Sequence, residues 1–342
     1  MDQITIIAKN VSPAWKLKTI MGKASHLNSG QRRDPMNGKQ KIKDIALQQN
    51  EKLTIPFTED IENALIPRVS RRCQGIELNS SNELIIIAST TGGLKSTFIS
   101  NLMLNYKLIN PDGYIFLLTY ELPNHVYQYR AYSALLSQLK PTDPLETFKQ
   151  VFTNTFFIRR VPANIMLKKM KQLRDCLPLD KADSEIIFII DPLQPVFETA
   201  LHHSSVKDIR VAANELLHQI KEISQRQGIT TIAISETNRG VALKLHSRQQ
   251  QKPFQDMRDE IKFALQSSLR ETGCLEFRAT QLYFLTWWDN GELKTAPPRP
   301  APEEVEGILL NLKNTEGPEK DWNMTWYPSQ YLIKVKGEIK WT

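Results

Sequence analysis

A lysine and a serine follow a glycine-containing loop in residues 84 to 101, LIIIASTTGGLKSTFISN. The loop separates an apolar run, which predicts a buried strand, from a segment that predicts a helix. Backbone N–H groups in such a loop bind phosphate, the Lys95 ammonium reaches the β and γ oxygens, and the Ser96 hydroxyl binds Mg²⁺. The segment therefore predicts a site for a nucleoside triphosphate. The alternative is a glycine-rich turn that only joins a core strand to a helix.

The predicted phosphate loop, residues 89–97, departs from the usual spacing GxxxxGKS/T. Ser89 and Leu94 stand where that spacing has glycine, and the glycines of this chain are Gly92 and Gly93. A branched side chain at Leu94 is expected to crowd the nucleotide or to reshape the loop. The residues predicted to bind the nucleotide are Ser89, Thr90, Thr91, Gly92, Gly93, Leu94, Lys95, Ser96 and Thr97.

Three further apolar runs each end in polar residues suited to phosphate chemistry. GYIFLLTYELP reaches Glu121, SEIIFIIDPLQPV holds Asp191 and Gln194, and ITTIAISETNRG ends beyond Asn238. Continuous apolar runs are typical of parallel strands covered on both faces, and ligands bind at the carboxyl ends of such strands. We therefore expect one crevice in which Asp191 holds Mg²⁺ through water, Glu121 orients the attacking water and Gln194 senses the γ-phosphate. For each residue alone, a strand end facing solvent is the alternative.

Six segments, in this order, resemble the RecA-like motor domain of DnaB-type replicative helicases over roughly residues 70 to 335. ELIIIASTTGGLKSTFISN is similar to the first strand and phosphate loop of that domain, LLTYELPNHVYQYR to its FSLEM segment, and FIIDPLQPV to IDYLQLM. AISETNRGV is similar to SQLNRGVE, LRETGCLEFRA to LRESGSIEQDA, and LKNTEGPEK to the KxRNGPxG hairpin. The resemblance implies an α/β fold, a RecA-like P-loop NTPase with a mostly parallel central sheet, helices on both faces and a C-terminal β-hairpin region.

The resemblance also implies an ATP-dependent DNA helicase or translocase of DNA replication. Such an enzyme binds ATP and Mg²⁺, forms a hexameric ring, moves along single-stranded DNA and meets other replication proteins. The residues to which the resemblance assigns catalytic roles are Glu121, Gln194 and Lys313. Thr315 stands where the hairpin of the family has an arginine finger, and Lys313 offers a point charge instead of a guanidinium fork. Because an arginine finger is worth about 10³ to 10⁵ in rate, hydrolysis is expected to be slow unless another arginine acts.

These departures leave a second function open. Leu94 and Thr315 favour a helicase-like scaffold or loader that binds ATP, hydrolyses it poorly and assembles on DNA. The residues that favour the motor are Lys95, Glu121, Asp191 and Gln194. A third alternative is a recombinase-like filament protein. The order of the TYELP and RETGCLE segments argues against it and favours a helicase.

The net charge of the 342-residue chain is +7, and residues 1–75 contain 13 basic and 7 acidic residues. Residues 22 to 43 are rich in glycine, asparagine and lysine and have few apolar side chains, which is typical of a flexible arm. We therefore predict a basic N-terminal arm and linker helix at 1–69 and a RecA-like ATPase domain at 70–342. The arm either contacts a phosphate backbone or is a solvated linker.

Two segments that follow predicted strands are candidates for contact with single-stranded DNA, residues 198 to 210 and residues 239 to 258. The second has no acidic residue before Asp256, so its positive charge suits a phosphate backbone. A charged loop in solvent is the alternative. The predicted nucleic-acid contacts are Arg239, Lys244, Arg248 and Lys252.

The remaining features bear on location and on local packing. No run approaches the ~18 consecutive apolar residues of a membrane helix, and the first ten residues lack the apolar core of a secretory signal, so we expect a cytoplasmic protein without membrane contact. The three cysteines are far apart, which favours reduced thiols over a metal site. Trp287 and Trp288 are predicted to form a core edge or a stacking surface for a base. The Pro-rich residues 295 to 304 predict a rigid surface loop or a short partner-binding segment.

Overall fold

The structure is a computed structural model that describes most of the chain from residue 71 onward. The described residues are 71–78, 83–181, 183–203, 208–237, 258–259, 261–263, 265, 275–289, 292–315 and 317–339. The predicted arm, the linker helix and the domain boundary at residue 70 lie outside these residues and stay predictions.

Strands and helices alternate along the described part of the chain. The strands are β1 (Arg71–Cys73), β2 (Ile76–Leu78), β3 (Leu84–Ser89), β4 (Tyr114–Thr119), β5 (Thr155–Arg159), β6 (Ile186–Asp191), β7 (Ile229–Glu236), β8 (Gln281–Asp289), β9 (Glu292–Lys294), β10 (Val305–Asn314), β11 (Trp322–Tyr327) and β12 (Leu332–Glu338). The helices are α1 (Lys95–Ile109), α2 (Asn124–Leu139), α3 (Pro144–Val151), α4 (Ala163–Gln172), α5 (Gln194–His203), α6 (Ile209–Gln227) and α7 (Leu275–Arg278). Among the described helices, none combines the length and the apolar character needed to cross a membrane.

A ten-stranded sheet forms the centre of the fold. Its parallel part has the order β5-β4-β6-β7-β3-β8. Beyond β8 the strands β10, β11 and β12 are antiparallel, and β9 pairs with the end of β8. The predicted fold class is confirmed, and the C-terminal hairpin region is an antiparallel extension of the same sheet. A separate hairpin, β1 with β2, turns at Gln74 and Gly75, both with positive φ.

The two faces of the sheet carry separate hydrophobic cores, because successive side chains of a strand point in opposite directions. Leu84 and Ile86 of β3 pack in the core that includes α4, α5 and α6. Ile85 and Ile87 pack in the core that includes α1 and α2. All four side chains are fully buried. This burial on both faces explains why the β3 segment is apolar without alternation.

The carboxyl ends of the central parallel strands meet at one edge of the sheet. Ser89 at the end of β3 pairs with Glu236 at the end of β7, and Thr119 at the end of β4 pairs with Asp191 at the end of β6. The polar residues predicted to share a crevice therefore start from neighbouring positions.

Candidate nucleotide-binding site

The phosphate loop turns sharply between β3 and α1. The Gly93 N–H donates to the Thr90 carbonyl at 3.0 Å, and both Gly92 (φ 81°) and Leu94 (φ 68°) adopt left-handed backbone conformations. Glycine adopts this conformation freely, whereas an L-residue with a side chain does so at a cost of roughly 1–2 kcal/mol. Leu94 thus has the backbone conformation that suits the usual glycine, and the loop is strained at this position.

Contacts from β8, the neighbour of β3, and from the residue that follows β9 hold the phosphate loop in place. A Cβ atom on Gly93 would overlap Ser89 Oγ and would lie 3.0 Å from the Thr295 carbonyl, so only glycine fits there. The Trp287 indole N–H donates to the Gly93 carbonyl at 3.2 Å, and the Thr90 hydroxyl donates to the Thr295 carbonyl at 2.9 Å. Trp287 is fully buried, which confirms the prediction of a core edge for this residue.

The N-terminus of α1 follows the phosphate loop directly. No side chain caps this helix end, and its first turn contains no acidic residue. The first N–H groups of a helix have no partner within the helix and form the positive end of its dipole. The loop and the helix end together therefore offer an anion-binding arrangement.

Three acceptors surround the Lys95 ammonium. It donates to the Ser89 carbonyl at 3.3 Å, to the Thr90 carbonyl at 2.9 Å and to the Glu236 carboxylate at 2.9 Å. The Lys95 side chain is only 9% exposed. Because an ammonium has three N–H donors, a phosphate oxygen binds Lys95 only by replacing one of these partners. Glu236 is the partner whose negative charge competes with phosphate.

The predicted magnesium pair, Ser96 and Asp191, lies in direct contact. Asp191 Oδ2 accepts a hydrogen bond from the Ser96 hydroxyl at 2.9 Å and another from the Tyr127 hydroxyl at 2.6 Å. Burial raises the pKa of Asp191 above its ordinary value, and the hydrogen bonds from Tyr127 and Ser96 oppose this rise. A carboxylate and a hydroxyl are the hard oxygen ligands that Mg²⁺ prefers. The donor set therefore fits the ion.

Glu121 lies two residues beyond the end of β4, with an exposed side chain. Partial desolvation and the charges of Glu236 and Asp191 raise the pKa of Glu121, whereas Lys95 lowers it. Glu121 follows the carboxyl end of β4, and β4 pairs with β6 at Thr119 and Asp191, so Glu121 lies at the same edge of the sheet as Asp191. A raised pKa suits a carboxylate that accepts a proton from water.

Gln194 is the first residue of α5, and its amide bonds to the end of β7. Its Nε2 donates to Ser235 Oγ at 3.2 Å and to the Glu236 carbonyl at 3.0 Å. Gln194 Oε1, Ser89 Oγ and Thr237 Oγ1 are buried and have no hydrogen-bond partner among the described residues. Buried polar atoms without a partner are uncommon. Three such atoms around one strand edge indicate a place where a polar ligand binds.

Lys313 and Thr315 lie at the opposite edge of the sheet. β10 is antiparallel to β8, so Lys313 pairs with Leu282 near the start of β8. The Lys313 ammonium donates to the Glu276 carbonyl at 2.5 Å, and the Thr315 N–H donates to the Thr280 carbonyl at 3.0 Å. Lys313 therefore does not join the crevice of its own chain, and its predicted catalytic role requires a neighbouring chain.

The predicted nucleic-acid contacts Arg239, Lys244, Arg248 and Lys252 lie outside the described residues, and their role stays a prediction. In the other candidate segment, residues 198 to 203 belong to α5. That part of the candidate segment is therefore helical.

Sequence reasoning did not single out Tyr127, Arg130 or Glu236. Arg130 lies three residues after Tyr127 on α2, which places both on one helix face, and its charge lowers the pKa of Asp191. Tyr127 and Arg130 lie on the helix that begins shortly after Glu121, and this position could have identified them as neighbours of the site. Glu236 ends an apolar strand, the same feature that identified Asp191, and it stands at the position of the glutamine in SQLNRGVE.

Solved structures of ATPase and helicase domains are similar to this fold. The ATPase domain of one helicase matches with a TM-score of 0.52 at 16% identity, over 74% of this chain and 84% of that chain. A DnaB-like replicative helicase, described with its interactions with primase, matches with a TM-score of 0.52 at 17% identity, over 74% of this chain and 57% of that chain. No family model and no curated protein matches the sequence. The chain therefore has the RecA-like fold of the ATPase domains of DnaB-like replicative helicases.

Proposed function

We propose that the protein is an ATP-dependent DNA helicase or translocase of the DnaB type, which acts on single-stranded DNA as a ring in DNA replication. The observation that carries the proposal is the meeting of the phosphate loop, the Ser96–Asp191 pair and Glu121 at one edge of the sheet. The fold shared with helicase ATPase domains supports it.

Nucleotide binding uses groups that the loop already orients. The backbone N–H groups of the phosphate loop and of the first turn of α1 bind the phosphates, and Lys95 exchanges Glu236 for a phosphate oxygen. Ser96 and Asp191 hold Mg²⁺, which neutralises phosphate charge when bound. The hydrogen bond from Tyr127 keeps the Asp191 carboxylate in position.

Hydrolysis requires a water molecule that is oriented and deprotonated. Glu121 accepts a proton from this water, and its raised pKa keeps it basic enough for that step. The Gln194 amide nitrogen already has two acceptors, so the oxygen is the atom that remains to accept a hydrogen bond from the water. Gln194 thus connects the reacting water to the end of β7.

A ring gives a role to the residues at the far edge of the sheet. Lys313 and Thr315 lie away from the crevice of their own chain, where a residue can act only on a neighbour.

We place single-stranded DNA against Arg239, Lys244, Arg248 and Lys252. Replacing Lys244, Arg248 and Lys252 with glutamine should flatten the dependence of DNA affinity on salt by ~0.7 in logarithmic slope per lost contact. An unchanged slope would place the DNA elsewhere.

A hydrolysis-poor ATP-binding scaffold or loader that assembles on DNA is the second candidate. It is favoured by the strained Leu94 backbone and by Thr315, which bonds within its own chain and has no guanidinium to offer. In this function ATP binding would control assembly, and turnover would contribute little.

Turnover measured with and without single-stranded DNA, beside the oligomeric mass, separates the two functions. Glu121→Gln should retain ATP affinity and slow hydrolysis by about 10²-fold or more, because an amide cannot accept the proton. Glu146→Gln, on the exposed surface of α3, is the matched control and should leave turnover unchanged. A wild type that hydrolyses ATP no faster than Glu121→Gln would exclude the motor and favour the scaffold.

A further inference from the structure

The Pro-rich segment after β9, residues 295 to 304, packs against the phosphate loop. Its first residue, Thr295, accepts a hydrogen bond from the Thr90 hydroxyl at 2.9 Å. The same carbonyl lies 3.0 Å from the place of a Cβ atom on Gly93. The segment is thus a surface loop that also lines the candidate nucleotide site.

Arg299 extends from this segment over the phosphate loop. A Cβ atom on Gly92 would lie 3.2 Å from Arg299 Nη2, so the guanidinium contacts the backbone of the loop. The Arg299 residue is exposed. Within the described part of the chain, its guanidinium makes no hydrogen bond and no ion pair. Its N–H donors therefore remain available to a ligand.

The prolines on both sides restrict where the Arg299 backbone can move. Pro297 is buried, and Pro298 and Pro300 flank the arginine directly. Proline fixes the φ angle of its own residue and restricts the residue before it. Less backbone entropy is therefore lost when Arg299 binds a ligand than in a flexible loop.

Carboxylates outnumber cations around the crevice, because Lys95 and Arg130 are the two cations among the described residues that act on Asp191 there. Glu121, Asp191 and Glu236 are acidic, and Lys95 is already paired with Glu236. A nucleoside triphosphate adds several negative charges at the phosphate loop. A guanidinium binds two phosphate oxygens through a planar pair of N–H groups, and this geometry suits Arg299 better than a lysine.

We propose that Arg299 is a phosphate-binding residue of the nucleotide site, contributed by the chain whose phosphate loop it covers. It binds the polyphosphate of a nucleoside di- or triphosphate. It thereby supplies a guanidinium, the group that is missing at Thr315. This inference rests on the proposed nucleotide site.

The test compares Arg299→Ala with wild type in binding of ATP, ADP and adenosine, measured by competition with a fluorescent ATP analogue. Loss of a charged hydrogen bond should weaken ATP and ADP roughly ten- to a hundredfold and leave adenosine unchanged. Arg299→Lys should fall between the two, since it keeps the charge and loses the fork. Arg226→Ala removes the same charge from the exposed last turn of α6 and should bind like wild type.

The outcomes separate this inference from the proposed function. If Arg299→Ala binds ATP like wild type while Lys95→Ala does not bind it, the nucleotide site stands and Arg299 has no part in it. If ATP and adenosine weaken equally, Arg299 does not contact the phosphates and the inference is wrong. If wild type binds no nucleotide, both proposals fail. Matching circular dichroism and thermal unfolding of the variants would show that the fold is retained.

Discussion

Lys95 and Glu236 form an ion pair at 2.9 Å across the edge where β3 and β7 end. The ammonium that should meet a phosphate is therefore bound to a carboxylate of its own chain. In the proposed nucleotide site, a phosphate would compete with Glu236 for Lys95 and would also be repelled by that carboxylate. We therefore expect the pair to weaken nucleotide affinity and, in the absence of nucleotide, to hold the lysine in position.

Glu236→Gln should strengthen ATP binding roughly three- to tenfold, equivalent to about 1 kcal/mol for an ion pair that is partly open to solvent. The amide keeps the shape of the side chain and loses the competing charge. Titration with a fluorescent ATP analogue measures the change. Glu222→Gln on α6, whose partner is Arg226, is the control and should bind like wild type. Weaker binding by Glu236→Gln would mean that Glu236 supports the nucleotide site.

The pH dependence of hydrolysis should report the carboxylates around Glu121. Turnover should rise with pH as Glu121 loses its proton. The midpoint should lie above 4.5, the ordinary pKa of a glutamate, because desolvation and the charges of Glu236 and Asp191 raise the pKa of Glu121. Lys95 lowers this pKa and opposes the rise. Glu236→Gln removes one of these charges and should shift the midpoint to lower pH. A midpoint that stays the same or rises in this variant would show that Glu121 is not the group that titrates.

Leu94→Gly should strengthen ATP binding, because glycine adopts the left-handed conformation without strain and has no branched side chain to crowd the phosphates. Lys140→Gly is the matched control. Lys140 also has a positive φ, at 47°, but it lies at the exposed end of α2. It should leave ATP affinity unchanged. Equal affinities of Leu94→Gly and wild type would show that Leu94 does not limit access to the loop.

Thr315→Arg should raise DNA-stimulated turnover by about tenfold or more if chains form a ring that presents this edge to a neighbour's nucleotide. The substitution removes the Thr315 hydroxyl bond to Thr280 and keeps the backbone bond. Turnover per chain should increase with protein concentration up to the assembly threshold. Asn323→Arg on the exposed side of β11 adds the same charge elsewhere. A rate that is independent of concentration and equal in all three proteins would contradict action on a neighbour.

The central strands β3, β4, β6 and β7 could be predicted because they are apolar on both faces. The runs that end at Ser89, Asp191 and Glu236 form adjacent strands, and parallel pairing brings their polar ends together. The contact between Ser96 and Asp191 follows from this arrangement, since Asp191 ends β6 and Ser96 follows the loop that leaves β3.

Contacts made by long side chains from loops could not be predicted in the same way. Arg299 reaches Gly92 from a segment whose composition indicates only a stiff surface loop. Glu236 meets Lys95 across 141 residues of sequence, and nothing in the local pattern of either segment specifies the partner. Such contacts depend on the path of the whole chain, and so does the position of Lys313 at the far edge of the sheet.

Titration of wild type and Lys95→Ala with ATP and Mg²⁺, each checked by circular dichroism, tests whether the phosphate loop binds ATP. Lys95 contributes a buried positive charge to the phosphate loop, so its removal should weaken ATP binding by about a hundredfold or more while the fold is retained. Equal ATP affinity in the two folded proteins, or no ATP binding by wild type, would show that the phosphate loop is not an ATP site.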